Sequence, residues 1–292
     1  MKTYIFLQGG LGNQMFQYAF YLMIKEVNPK TICDFSLIKN GLDHNGFELE
    51  KVFNLREHTS KASYFLAKIC SYLSFHKRQK LLSNIGITLV EDSTPSTYMP
   101  KIIDLCLKPF TVYLGYWQTE KYFKQHTDLI KKAFSFNINL LSSQTKECAK
   151  EIQKTNSIAI HIRRGDYLHP KYNHLYGGIC TAAYYKEAIK VIQQKYTGVN
   201  FYIFSDDISW VKENLAIAPA TYIDWNKKED SWQDMYLMSQ CKHNIIANSS
   251  FSWWGAWLNN NPSKTVICPS RFMNINQQSD IIPEDWIQIQ IQ

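Results

Sequence analysis

Two adjacent arginines in the segment 161–166, His-Ile-Arg-Arg-Gly-Asp, are the strongest chemical signal in the sequence. A guanidinium is always charged and can grip two phosphate oxygens at once. The apolar residues before Arg163 predict a strand over 157–162, and ligands of open α/β sheets bind outside the carboxyl ends of strands. Strand alternation puts His161 and Arg163 on one face. We therefore expect Arg163 to hold a pyrophosphate while Arg164 pairs with Asp166 and fixes the turn. The alternative is a surface ion-pair cluster.

A second candidate site lies where small polar residues separate a predicted strand from a predicted helix, at 248–252. The N–H groups at a helix start bind anions, and the helix dipole adds to that attraction. Hydroxyl donors from Ser249, Ser250 and Ser252 could contribute. Simple helix capping by Asn248 or Ser249 explains the same pattern, and it is compatible with phosphate binding.

Two further turns could contact a ligand. Asp206 and Asp207 end a predicted strand, where a carboxylate could accept hydrogen bonds from guanine or ribose, or could cap the next helix. No other oxygen ligands cluster with them, which argues against a metal site. The glycine turn at 9–14 lies between a predicted strand and a predicted helix but differs from dinucleotide and P-loop fingerprints. Its glycines permit close approach of a ligand, or serve only as a turn.

The elements that position these turns alternate regularly between strand and helix. Such alternation predicts an α/β fold with parallel sheets that are covered on both faces. The rhythm restarts near residue 157, so we predict two domains, 1–150 and 151–292. Residues 60–84 are predicted to form one helix with apolar and basic positions.

Composition narrows the class of protein. The net charge of +7 over 292 residues suits an anionic ligand or membrane surface, and the scattered basic residues argue against nucleic acid. Seven widely spaced cysteines argue against a disulfide scaffold or zinc knuckle. The sequence lacks an apolar run long enough for a signal peptide or a spanning helix, which predicts a cytoplasmic location. The basic helix at 60–84 could contact an anionic membrane from the inner face, or be an ordinary packed helix.

Several segments together carry a family resemblance, and the turns above are among them. They are the segments at 9–14, 44–49, 115–123, 161–167, 204–207, 234–244 and 248–258. This set resembles glycosyltransferase family 11, the α-1,2-fucosyltransferases. The resemblance implies a GT-B-type fold of two Rossmann-like domains facing a cleft. It also implies GDP-β-L-fucose as donor, inversion at the anomeric carbon, and transfer to the 2-hydroxyl of a terminal galactose in a glycan, without a cofactor or an essential metal.

The resemblance also assigns roles to individual residues. The residues predicted to take part in catalysis are Arg163, Asp166 and Asn13. The residues predicted to bind GDP-fucose are Gly10, Gly12, Asn13, His161, Arg163, Arg164, Asp206, Asp207, Asn248, Ser249, Ser250, Phe251 and Ser252. The residues predicted to bind the acceptor are His44, Glu48 and Trp117. The catalytic base stays open among Asp166, Glu48 and His44, because spacing does not show which group reaches the acceptor hydroxyl.

Two other functions remain compatible with the sequence. One is a fucosyltransferase that forms a different linkage. The other is a non-catalytic sugar-binding protein that uses the tryptophans, although it leaves the arginine pair unexplained.

Overall fold

The computed structural model describes residues 2–39, 45–55, 61–92, 96–275 and 279–290. The chain forms two compact units. The first runs to Asn137 and also includes a short later segment that ends at Ile281, and the second begins at Ile138. We predicted the division after residue 150.

The sheet of the first unit has four parallel strands in the order β2-β1-β4-β3. They are β1 (Lys2–Phe6), β2 (Thr31–Asp34), β3 (Thr88–Glu91) and β4 (Phe110–Leu114). The strand order reverses between β1 and β4, so the carboxyl ends of those two strands mark the switch point at which such sheets bind ligands. The short strand β3 was not predicted.

Within the residues that the structure describes, six α-helices accompany this sheet. They are α1 (Leu11–Val27), α2 (Ser36–Lys39), α3 (Leu49–Phe53), α4 (Lys61–Tyr72), α5 (Phe75–Asn84) and α6 (Thr127–Ala133). The prediction of one helix over 60–84 is wrong, because the segment breaks into α4 and α5. Arg78 stabilises the break, since its Nη1 donates to the carbonyl oxygens of Cys70 and Leu73 at the end of α4.

The second unit has a sheet of six parallel strands in the order β10-β9-β8-β5-β6-β7. They are β5 (Asn156–Ile162), β6 (Val199–Ser205), β7 (Ala220–Ile223), β8 (His243–Ile245), β9 (Val266–Pro269) and β10 (Ile287–Ile289). Counted within the unit, this is the 3-2-1-4-5-6 order of dinucleotide-binding sheets. Its switch point lies between β5 and β8, where Ile160 pairs with Ile245.

Six helices belong to the second unit. They are α7 (Ser143–Lys154), α8 (Pro170–Tyr176), α9 (Ala182–Lys195), α10 (Ile208–Asn214), α11 (Trp232–Gln240) and α12 (Ser250–Trp257). On one face of the sheet, the isoleucines of β5 form a common core with Tyr185, Ala188 and Ile192 of α9. Burial of such apolar surface is the main source of stability.

Helix α7 explains why the division falls earlier than predicted. The backbone N–H of Ser142 donates to the side chain of Gln233 at 2.9 Å, and the Thr145 hydroxyl donates to Asn226 at 3.1 Å. These bonds tie α7 to the second unit. Two units with parallel sheets and flanking helices confirm the predicted α/β class and its two Rossmann-like parts.

The cysteines and the helices bear on two further expectations. All seven cysteines are free thiols, five of them buried. Among the described residues, no helix combines the length and the apolar character needed to cross a membrane.

Candidate functional site

The turn after β5 holds Arg163 between two carboxylates. Its Nε donates to Oδ1 of Asp166 at 2.8 Å, and its Nη1 lies 3.3 Å from Oδ2 of Asp206. Burial alone would lower the pKa of Arg163, but the Asp166 hydrogen bond and the charge of Asp206 outweigh it and raise the pKa. The guanidinium is therefore fixed in place and charged at every physiological pH, and neither of these two pairs uses Nη2.

Arg164 has a different partner from the one predicted. Its Nε lies 3.2 Å from Oδ2 of Asp207, and its guanidinium stacks 4.0 Å from the ring of Trp210 in α10. The prediction that Arg164 pairs with Asp166 is wrong, because strand alternation ends at Ile162 and the turn directs Arg163 toward Asp166 instead. No pattern in the sequence predicts the stacking of Arg164 on Trp210.

Asp206 and Asp207, which follow β6, brace this turn from the neighbouring strand. The two oxygens of Asp206 accept the backbone N–H groups of Arg164 and Gly165, at 2.9 and 3.1 Å. Oδ1 of Asp207 caps α10 by accepting the N–H of Trp210 at 3.1 Å, which confirms the capping alternative. A role for either carboxylate in reading guanine would compete with these bonds, and it stays a prediction.

The start of α12 is the second half of the site. Ser249 is the N-cap, and its hydroxyl accepts the N–H of Phe251 at 3.3 Å, as the capping alternative predicted. Ser252 turns inward and donates to the carbonyl oxygens of Ala247 and Ser249, so its hydroxyl is structural. Ser250 is half-buried in the first turn of the helix.

Asn248 and its neighbours join the two halves across the switch point. The Tyr167 hydroxyl donates to the carbonyl of Asn248 at 3.0 Å, and the ring of His161 lies 5.8 Å from that of Phe251. The Asn248 amide donates to the carbonyl of Phe272 and is buried, so it holds the loop together. An arginine turn and a helix start thus meet at the carboxyl ends of β5 and β8. Ligands of doubly wound sheets bind at this switch point, and a helix start and an arginine there can each bind an anion.

His161 is buried and neutral. Burial, and to a lesser degree the charge of Arg163, lower its pKa to about 3. Its Nδ1 is buried and has no hydrogen-bond partner among the residues that the structure describes. A neutral imidazole with an unsatisfied nitrogen can bind a ligand hydroxyl or N–H but cannot supply charge to a phosphate.

Two tyrosines that the sequence analysis missed support the site from below. Tyr184 and Tyr185 are neighbours at the start of α9. Tyr184 donates to the carbonyl of Ile246 at 2.6 Å, and Tyr185 donates to that of His161 at 3.1 Å. Each hydroxyl therefore holds the end of one switch-point strand. Two tyrosines on the apolar face of a predicted helix were the only available signal, and such residues are usually core.

In the first unit, the glycine turn after β1 positions Asn13. Gly9 has φ +76°, a conformation that favours glycine, and Gly10 is the N-cap of α1. Gly12 is buried in the first turn of that helix. The Asn13 side chain accepts a hydrogen bond from Nε2 of Gln118 at 2.8 Å, so residues after β1 and after β4 meet at the switch point of this sheet.

The structure does not gather the predicted acceptor residues into one site. Trp117 is 1% exposed and stacks on Phe20 with ring centroids 4.6 Å apart, which contradicts a role as a sugar platform. Glu48 is 7% exposed, and its carboxylate accepts from Asn45 and from the backbone of Leu11 at the start of α1. That engagement argues against Glu48 as an acceptor ligand or base. His44 lies outside the described residues.

The chain matches the family model described as Glycosyl transferase family 11 over residues 91–290. It is 35% identical to an Escherichia coli alpha-1,2-colitosyltransferase, over 97% of each chain. It is 32% identical to the Escherichia coli O-antigen biosynthesis glycosyltransferase WbnK, over 98% of this chain and 100% of that protein. A human galactoside alpha-(1,2)-fucosyltransferase 1 is 25% identical over 45% of this chain and 38% of that protein.

Among solved structures, the NodZ alpha-1,6-fucosyltransferase soaked with GDP-fucose is similar over 88% of this chain and 91% of that chain, with a TM-score of 0.47 and 12% identity. That likeness is too distant to bear on function. The family match and the two full-length bacterial relatives are decisive. This chain is a glycosyltransferase and belongs to glycosyltransferase family 11.

Proposed function

We propose that this enzyme transfers L-fucose from GDP-β-L-fucose to the 2-hydroxyl of a terminal galactose in a glycan, with inversion. The observation that carries the donor assignment is the switch point of the second unit. There a fixed arginine and the start of α12 are joined by the contacts of Tyr167 with Asn248 and of His161 with Phe251. Two relatives, an alpha-1,2-colitosyltransferase and a galactoside alpha-(1,2)-fucosyltransferase, support the acceptor position.

The net charge of the arginine turn does not by itself attract an anion, so a diphosphate must be held there by directional hydrogen bonds. Two guanidinium groups and three carboxylates leave the cluster of Arg163, Arg164, Asp166, Asp206 and Asp207 with a formal charge of −1. A bare anion gains little from such a cluster. A diphosphate that also places oxygens on Nη2 of the arginine and on helix N–H groups gains directional, charge-assisted bonds.

The same groups would assist the reaction. As the anomeric carbon–oxygen bond of the donor breaks, its electron pair passes to a β-phosphate oxygen, and GDP leaves. The acceptor oxygen forms the new bond from the opposite face, which gives inversion, and its proton passes to a base or to solvent. A charged Arg163 and the dipole of α12 would stabilise the growing negative charge on the leaving group. The carboxylate of Asp166 holds the guanidinium of Arg163 in the orientation that faces the leaving group.

A second candidate donor carries colitose, because a relative 35% identical over nearly the full chain is named an alpha-1,2-colitosyltransferase. Colitose is L-fucose without the 3-hydroxyl. The two sugars therefore differ in one polar contact, and a site built to bond that hydroxyl would reject the sugar that lacks it.

The test is to offer GDP-fucose and GDP-colitose separately to the purified enzyme with a panel of β-galactosides. Each reaction is run with and without a chelator, since we propose that neither metal nor cofactor is required. NMR of the product identifies the linkage. Fucosylation of the galactose 2-hydroxyl at unchanged rate in chelator is the expected result. Transfer only from GDP-colitose would replace the donor, and absence of product on every β-galactoside would refute the proposal.

We further propose that the enzyme contacts the inner face of an anionic membrane through α4 and α5. Phe65 and Tyr72 of α4 are 64% and 82% exposed, and the exposed lysines Lys68, Lys77 and Lys80 lie on the same two helices. Aromatic side chains beside basic ones are typical of interfacial helices. Flotation with phosphatidylglycerol vesicles should show binding that high salt and Phe65→Ser both weaken. Binding to neutral vesicles only, or none at low salt, would refute it.

A further inference from the structure

A pocket of about 440 Å³ lies within the first unit, and none of the predicted site residues lines it. We propose that this pocket binds the terminal hexose of the acceptor, with the Arg78–Glu91 pair and Asp92 contacting its hydroxyl groups. The inference rests on the proposed function and names the acceptor subsite of that same reaction.

The pocket lies where a sheet of this kind places ligands. Gln8 follows β1, Glu91 and Asp92 end β3, and Gly115 and Tyr116 follow β4. The lining therefore comes from the carboxyl ends of three of the four strands, including both strands of the switch point. Helices α4 and α5 close the far side through residues such as Ser71 and Arg78.

The polar side chains of the pocket are held in place, but two of their atoms lack hydrogen-bond partners. Arg78 and Glu91 form an ion pair whose side chains are only 20% and 10% exposed. Nε of Arg78 and Oε2 of Glu91 are both buried and have no hydrogen-bond partner among the described residues. Buried polar atoms without partners are costly, and they commonly await a ligand. The pair supplies both a donor and an acceptor group to the pocket wall, and a sugar hydroxyl can bond to either because it both accepts and donates.

Asp92 adds a second carboxylate to the same wall. Its Oδ2 accepts the backbone N–H groups of Tyr116 and Trp117, both at the long distance of 3.3 Å. Burial raises its pKa. Gly115 makes this approach possible, because a Cβ at that position would collide with the Cβ of Asp92. A large residue at 115 would therefore deform the pocket.

The charge and the size of the pocket select the class of ligand. Both Nη atoms of Arg78 are already bonded to Glu91 and to the carbonyl oxygens of Cys70 and Leu73, so the arginine has little to offer a phosphate. The two carboxylates disfavour an anion further, while a neutral polyol can donate hydrogen bonds to them. The volume of about 440 Å³ falls within the range of about 300–1,000 Å³ for small-molecule sites, enough for a hexose. The ring of Tyr116, 36% exposed at the rim, offers an aromatic face to sugar C–H groups.

The experiment compares acceptor and donor readouts in three variants, Glu91→Gln, Asp92→Asn and Ser71→Tyr. Ser71 of α4 lines the pocket and is exposed, so a tyrosine there occludes the pocket without disturbing the core. Lactose is the β-galactoside probe, and Asp104→Asn, an exposed carboxylate of the same unit, is the matched control. The apparent KM for lactose should rise about 10- to 100-fold in Glu91→Gln and in Asp92→Asn, the loss expected for one hydrogen bond to a charged group. It should rise at least as much in Ser71→Tyr, because the tyrosine occupies the space of the sugar. GDP binding and the slow hydrolysis of GDP-fucose should stay unchanged.

Three results would overturn the assignment. They are an unchanged KM for lactose in Ser71→Tyr, an equal effect in Asp104→Asn, and parallel loss of GDP binding in folded variants. Thermal unfolding identifies a variant that fails to fold, and Ser71→Tyr then decides. If the wild type makes no product on any galactoside, the proposed function fails by itself. Saturation-transfer NMR with lactose alone, on the wild type and on Ser71→Tyr, still tests the pocket.

Discussion

Replacing Arg163 with alanine is the most direct test of the donor site. The change removes a guanidinium that contacts both Asp166 and Asp206, whose side chains are 36% and 27% exposed. It therefore deletes one positive charge and leaves two carboxylates facing the position we assign to the diphosphate. Loss of one preorganised donor typically costs about 100- to 1,000-fold in rate, or about 3–4 kcal/mol of transition-state stabilisation. We expect kcat/KM for GDP-fucose to fall by at least about 100-fold on this basis.

The matched control is Arg164→Ala, which removes the same charge one residue later. Arg164 stacks on Trp210 at 4.0 Å and pairs with Asp207, so its contacts serve the turn rather than a ligand. The Arg164 side chain is 23% exposed, and a cation–π contact of a partly exposed group contributes about 1 kcal/mol, so we expect less than about a tenfold loss. Transfer is measured by chromatography of the fucosylated galactoside, and GDP affinity by calorimetry. Arg163→Ala within a factor of a few of wild type, or the two variants losing activity equally, would refute the assignment.

Three further outcomes follow from burial and close approach. A Cβ at Gly165 would come within 2.9 Å of Oδ2 of Asp206, so Gly165→Ala should displace the arginine turn. Calorimetry should then show a lower affinity for GDP. An unchanged affinity would contradict the bracing role of Asp206. The pKa of His161 is lowered from 6.5 to about 3, so the folded state resists protonation of this side chain. The stability that the neutral imidazole contributes is complete above pH 6.5 and is lost as the pH falls toward 3, by at most about 5 kcal/mol. His161→Phe should therefore flatten the fall in Tm over that pH range. Asp234 is buried and bonded to Asn226, and burial raises its pKa to about 7 from 3.8, so stability present below pH 3.8 is lost as the pH rises through 7. Asp234→Asn should therefore raise the free energy of unfolding at pH 8 by up to about 4 kcal/mol and change it little at pH 4. The denaturation midpoint, measured at both pH values, checks this.

The sequence predicted the scaffold better than the contacts within the site. Alternating strands and helices, with polar turns at strand ends, correctly placed the Arg163 turn and the start of α12 at one edge of a parallel sheet. Alternation stops being informative where a strand ends. The contacts of Arg163 depend on the conformation of the turn and on Asp206, which lies 43 residues away along the chain. Patterns among neighbouring residues predict neither the turn conformation nor this distant partner.

Burial was the other limit on the sequence analysis. A tryptophan in a turn looks the same whether it stacks on a sugar or, like Trp117, on Phe20 within the core. Strand β3 is only four residues long and half-buried, so its pattern was too weak to detect. The pocket carboxylates Glu91 and Asp92 lie at its end and were missed with it.

The paired tyrosines of α9 have a consequence for how the enzyme tolerates change. Because Tyr184 and Tyr185 are successive residues, one turn of one helix is hydrogen-bonded to the ends of both β5 and β8 and sets the spacing between them. Movements of α9 would carry both strand ends together, whereas loss of one hydroxyl would free one of them alone. Misplacement by about 1 Å can cost about 100-fold in rate. The enzyme should thus withstand drift of the whole helix far better than a change at either tyrosine, and variation among relatives is expected to respect that asymmetry.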